Sequence, residues 1–220
     1  AIGLRRFTYL KSLNLIFPQE DNLPPKWFSY LQRSLCRLKS LSLDFQQNPK
    51  VNDSFIQDLA QCIRTSNLLE EFYINLNGLN SISEKGLSSL FTALKGEKLF
   101  CLGISINEYP NVSNNLHLIN SLIKTCISLK KFAFRTQIPV SKNSYKEFWA
   151  SIQCLENLKE INLDLHFHPE GEYQPAIQNT LWKLSHLEKI YWSHLVISTP
   201  SFLTDFANGL KSQIQLKVLK

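Results

Sequence analysis

The chain contains no methionine, only seven glycines and nine prolines in 220 residues, and no long uninterrupted apolar run. Each scarcity removes a class of function. A membrane-crossing helix takes about 18 or more consecutive apolar residues, so no transmembrane segment is expected. Phosphate cradles and dinucleotide loops need glycines at fixed spacing, and neither GxxxxGK nor GxGxxG occurs, nor does a GxSxG elbow. No Pro-, Gly- or Ser-rich linker and no block of like charge interrupts the chain, so one domain over residues 1–220 is expected. The cysteines, Cys36, Cys62, Cys101, Cys126 and Cys154, are odd in number and lack CxxC spacing. They read as small apolar core residues in a reducing, intracellular, cytoplasmic setting. Two glycosylation sequons, at Asn52 and Asn111, are short enough to occur by chance. With no initiator methionine and no polar cap at either end, the chain reads as a segment of something longer or as an end that a partner covers.

What the chain does have is a repeat. A Leu, an apolar residue three later and usually more at alternate positions recur from Leu10, Leu38, Leu69, Leu99, Leu129, Leu158, Leu187 and Leu216, at spacings of 28–31 residues. Within each phrase the apolar positions alternate with polar or small ones, as in Leu41-Ser42-Leu43-Asp44, Phe72-Tyr73-Ile74-Asn75 and Ile161-Asn162-Leu163-Asp164. That is the period of a strand buried on one face. Between phrases the period becomes helical: Phe55, Leu59 and Ile63; Leu87, Leu90, Phe91 and Leu94; Ile119, Leu122 and Ile123; Tyr145, Phe148, Trp149 and Ile152. Start signals stand where such helices should begin, at Pro24-Pro25, Asn52-Asp53, Ser83-Glu84 and Thr199-Pro200. Strands pack about 4.8 Å apart and helices about 10 Å, so stacked strand-helix units should fan out on the helical side. The expected fold is an α/β solenoid of about seven repeats, with a parallel sheet on the concave face of a horseshoe and helices on the convex face.

The copy Leu69-Glu-Glu-Phe72-Tyr-Ile74-Asn-Leu76-Asn77, followed by Ile82, Gly86, Leu87, Leu90 and Leu94, resembles the leucine-rich repeat superfamily, in particular its ribonuclease-inhibitor-like class. The resemblance extends over essentially the whole chain. It departs where the Asn that closes the strand survives only as Asn77 and Asn107, with Pro18, Gln46, Gln137 and His166 at the matching positions. What the resemblance implies is binding through a curved surface, and rarely catalysis.

The residues themselves place no catalytic group. His166, His168, Glu170 and Glu172 are the one cluster with metal-ligand character, but zinc wants three or four convergent ligands and this stretch reads as a polar strand-to-helix loop. His117, His186 and His194 fall in separate repeats, and nothing sets a base beside a Ser or Cys nucleophile. No enzyme activity, metal or cofactor is expected. Trp27, Phe28, Phe91, Phe148, Trp149, Trp182, Phe202 and Phe206 fall on helical stripes and read as core.

Two surfaces are candidates for binding. The outward strand positions Asp44, Glu71, Tyr73, Asn75, Lys131, Arg135, Asp164 and Tyr191 should line the concave face, with the tyrosines as anchors. The alternative is a basic rim, including Lys95, Lys98, Lys124 and Lys130, where helices end and strands begin; acids gather at the opposite edge. Complementarity to helix dipoles by itself predicts such a separation. Nucleic acid ranks lowest as a partner, because the strand face mixes acids with bases and forms no continuous basic groove. The function that follows is a protein-interaction scaffold, a structural subunit of a larger assembly. The rivals are a substrate-recognition module of a ubiquitin ligase or an innate sensor, and a regulator that wraps an enzyme such as a small GTPase or a nuclease. Cytoskeletal, ciliary and other assemblies are not separable from these residues.

Overall fold

The computed structural model describes residues 9–17, 19, 28, 32, 35–96, 98–107, 112–136, 142–165, 174–193, 200–211, 213 and 215–220. The Ile2–Arg6 stretch, the start signals at Pro24-Pro25 and Thr199, Trp27 and the sequon residue Asn111 lie outside these, as does the side chain of Phe202. By its contacts the chain divides into two compact units, Ala1–Asn111 and Val112–Lys220.

In the first unit, β1 (Ser12–Ile16), β2 (Ser40–Asp44), β3 (Glu71–Asn75) and β4 (Cys101–Ser105) lie parallel, side by side and in chain order. Helix α1 (Asp53–Arg64) follows β2, α2 (Glu84–Leu94) follows β3, and the two helices pack on each other. The second unit opens with α3 (Val112–Thr125) and continues β5 (Lys131–Thr136), α4 (Lys142–Ile152), β6 (Glu160–Leu165), α5 (Gln174–Lys183), β7 (Lys189–Ser193), α6 (Pro200–Leu210) and β8 (Val218–Leu219). Its strands are again parallel neighbours in chain order, and each helix packs on the next. This is the α/β repeat expected from the alternation of periods.

The register puts like with like. Leu13, Leu41, Phe72 and Leu102 form one cross-strand row, and Leu15, Leu43, Ile74 and Ile104 the next. In the second unit the rows are Phe132, Ile161, Ile190 and Phe134, Leu163, Trp192. From β2 to β6 these side chains are buried. Each removes enough apolar area from water to favour folding by about 1.5–3 kcal/mol. The helices cover this face: Phe148 of α4 packs at a tilt against Phe132 and Phe134 of β5, and Phe55 of α1 meets Phe45 just past β2 edge-on at 5.2 Å. Trp192 lies against Trp149 of α4 at 5.4 Å and Phe206 of α6 at 5.8 Å.

Helix starts follow the signals. The Asn52 side chain accepts from the Phe55 N–H at 3.1 Å, and the Ser83 hydroxyl accepts from the Lys85 N–H at 3.2 Å. Asp53 ties one start to the next, since its carboxylate accepts from the Ser83 N–H at 2.7 Å and the Ser83 hydroxyl at 2.5 Å. Gly86 makes room for that carboxylate; a Cβ there would stand 2.3 Å from Asp53 Oδ1.

Three core expectations are corrected. Trp182 is half exposed, with its indole N–H donating to the Asn208 carbonyl at 3.2 Å. Cys36 and Cys154 are exposed rather than buried, each near the end of a helical stretch where the stripe has turned outward. Cys62, Cys101 and Cys126 are buried, and none of the five cysteines is in a disulfide. Burial, with a smaller contribution from Asp58, pushes the Cys62 thiol up to about 11, leaving it protonated and unreactive at neutral pH.

Candidate interaction surface

The outward strand positions make rows as regular as those of the core. In the first unit Asn14, Ser42, Tyr73 and Gly103 align across four strands, and Ile16, Asp44, Asn75 and Ser105 form the next row. Gly103 decides how Tyr73 sits. A Cβ there would lie 2.4 Å from Tyr73 Cδ1, so the phenol ring rests across the neighbouring strand, in the space a side chain would occupy. Beside it the polar groups are cross-linked. Asn77 Oδ1 accepts from the Asn107 N–H at 2.7 Å and from the Ser105 hydroxyl at 3.0 Å, while the Asn75 amide donates to Gln46 at 3.4 Å. The two surviving strand-closing asparagines thus meet in one ladder.

In the second unit the row Lys131, Glu160, Lys189 alternates in charge, and Glu160 pairs with both lysines at 3.7 and 3.4 Å. Arg135 lies over Asp164, with Nε to carboxylate 2.6 Å. Asp164 was expected to face water or a partner; it is on the expected face but only 6% exposed, closed off by the longer Arg135 side chain. Tyr191 stands between Asn162 and the chain end at β8, partly exposed. Glu160 and Lys189 belong to this surface although the strand pattern did not single them out. They occupy the first outward position of β6 and β7, matching Lys131 and Glu71, so the register could have found them.

The edge where strands begin carries the residues of the basic rim. Lys95, Lys98, Lys124 and Lys130 are all exposed. Neighbouring positions are partly neutralised: Lys39 pairs with Glu70 at 2.7 Å, and Glu188 with Lys159 at 2.9 Å and Lys217 at 2.7 Å. Hydrogen bonds from Lys217 and Lys159 hold the Glu188 carboxyl down at about 2. In the first unit a groove of about 470 Å³ opens on this edge, with Arg64, Lys95 and Lys98 around Leu69, Leu94 and Leu99. The basic rim there is therefore a concavity, which the spacing of lysines did not reveal.

His166, His168, Glu170, Glu172 and His194 lie outside the described residues. Among the described residues no group of three or more His, Cys, Asp or Glu side chains is placed to hold a metal ion, and no helix is long and apolar enough to cross a membrane.

No family model matches the chain, and no curated protein matches it. Solved structures do. One described as the tropomodulin C-terminal domain of Caenorhabditis elegans is 12% identical, with a TM-score of 0.53, covering 72% of this chain and 92% of that one. Another, described as leiomodin-1 actin-binding site 2, is 8% identical, with a TM-score of 0.46, covering 87% of this chain and 94% of that one. At such identities the likeness to the tropomodulin domain speaks to fold alone, and the fold it shares is an α/β repeat.

Proposed function

We propose that this chain is a non-catalytic protein-interaction module of the ribonuclease-inhibitor-like class of leucine-rich repeats, serving as a scaffold subunit of an intracellular assembly. The observation that carries the reading is the pre-ordered outward face of each unit. On the first unit it comprises Asp44, Glu71, Asn75 and the ring of Tyr73 seated over Gly103. On the second it comprises Tyr191 and the paired charges of Lys131, Arg135, Asp164, Glu160 and Lys189. Side chains already fixed by cross-strand contacts lose little entropy on binding, and tyrosine offers contact area with few torsions to freeze. Surface ion pairs contribute under about 1 kcal/mol each to stability, so their regular arrangement serves specificity better than it serves folding.

The test is truncation of Tyr73 and Tyr191 to Ala in the full chain, followed by quantification of the proteins that co-purify from its own cells. The expected outcome is loss of partners with an unchanged circular dichroism spectrum. Retention of every partner would remove the strand face from the binding surface.

A further inference from the structure

The groove on the first unit presents three cations around an apolar floor. Arg64 donates to the neutral Gln61 at 3.1 Å, Lys98 reaches the Asn67 carbonyl at 3.4 Å, and Lys95 makes no ion pair among the described residues. Even with Glu97 counted from the sequence, the groove keeps a net positive charge. Helix-dipole complementarity accounts for a cation at each helix end, but it does not gather three of them around one concavity. Elsewhere on the same kind of edge several lysines stand beside carboxylates: Lys39 has Glu70, and Lys159 and Lys217 share Glu188.

A second, independent observation concerns the residue that follows the first leucine of each repeat. It is charged in seven of the eight phrases, as Lys11, Lys39, Glu70, Lys130, Lys159, Glu188 and Lys217, and is phenylalanine only at Phe100, next to the groove residue Leu99. Phe100 is 38% exposed, and Leu68, between the groove residues Asn67 and Leu69, is 50% exposed. Phe100, partly exposed where the repeat otherwise places charge, and Leu68, half-exposed beside the same groove, mark a contact surface. At the mouth, Gly96 has φ +150, a conformation open to glycine, and a Cβ added there would meet no atom within 4 Å.

We propose that this groove docks a linear acidic segment of a partner protein, with Asp or Glu carboxylates on Arg64, Lys95 and Lys98 and an interposed apolar side chain against Leu68 and Phe100. Charge complementarity selects an acidic occupant, and the exposed Leu68 and Phe100 select a peptide over a bare anion. The site is separate from the strand face assigned above, so either assignment can fail alone.

The experiment uses the full chain and a fluorescein-labelled peptide of four glutamates around one leucine, read by anisotropy, with an all-glutamine version as control. The acidic peptide should bind, the glutamine version should not, and binding should weaken as salt is raised from low ionic strength. Lys95→Glu with Lys98→Glu should lower affinity by about tenfold or more, and Phe100→Ser should lower it separately. Tyr73→Ala should leave it unchanged, and all variants should keep the parental circular dichroism spectrum. Equal binding of the two peptides, or indifference to the Lys95 and Lys98 reversal, would overturn the proposal. So would charge-dependent binding of phosphatidylserine vesicles, or of single-stranded RNA, in the absence of peptide binding.

Discussion

Asn120 fits its surroundings poorly. It is 4% exposed on α3, and neither its amide nitrogen nor its oxygen has a partner among the described residues. It occupies the place, nine residues before the strand-opening leucine, that Leu90 fills one repeat earlier and Trp149 one repeat later. A buried polar group without a partner keeps its full desolvation cost, whereas an apolar group of similar size avoids it. Asn120→Leu should therefore stabilise the chain by about 1 kcal/mol, measured as a higher urea midpoint at unchanged slope. The residue pattern announced only half of this. Asn120 sits on a visible apolar stripe, but whether its amide would meet a hydrogen-bonding neighbour depends on which side chains of the adjoining repeat surround it.

Between elements, two contacts join successive repeats and can be tested directly. Asp53, in the first turn of α1, holds the Ser83 cap of α2 through two hydrogen bonds, and Gly86 leaves space for its carboxylate. Alanine is the better helix former by about 1 kcal/mol, so propensity alone predicts that Gly86→Ala stabilises. Displacing the carboxylate costs the charge-assisted hydrogen bonds, about 1.5–3 kcal/mol, and this loss should win, for a net destabilisation of about 1 kcal/mol. In an Asp53→Ala background the same change should become neutral or favourable, a reversal of sign that thermal melts of the four variants would show. The second contact is the Lys159–Glu188–Lys217 triad, which links residues just ahead of β6, β7 and β8. Its carboxyl is lowered from 4.5 to about 2 in the fold, so the unfolded chain takes up the proton more readily. The triad's stabilisation is thus full above about pH 4.5 and is lost as pH falls toward 2. Glu188→Gln should flatten this part of the acid limb in urea titrations, and raised salt should shrink the difference.

Within each unit every strand is paired with its chain neighbours there and each helix packs on the next, so protection should follow position in the stack of that unit. Leu13 and Leu15 of β1 are only half-buried, while Leu41, Leu43, Phe72 and Ile74 of β2 and β3 are fully so. Hydrogen exchange followed by mass spectrometry should find peptides over β1 and β8 exchanging faster than those over β3 and β6. Uniform protection over all eight strands would mean that neighbour contacts do not set local stability.

The repeat length, the strand register and the helix caps at Asn52 and Ser83 were legible without coordinates, because they rest on local chemistry: alternation of apolar residues, a change of period and short polar side chains before helical stripes. The outward positions of the strands were legible for the same reason, since a one-residue alternation assigns each side chain to a face. Which of those side chains remain available was decided by tertiary structure. Arg135 covers Asp164, Glu160 joins Lys131 to Lys189, and Tyr73 lies down over Gly103, all through contacts between residues about 29 or 30 positions apart. The groove beside Arg64, Lys95 and Lys98 likewise exists only because two helix ends and two strand starts are stacked next to each other. A strand pattern specifies the face a residue occupies; the identity and length of its neighbour on the adjacent strand determine whether a partner can reach it.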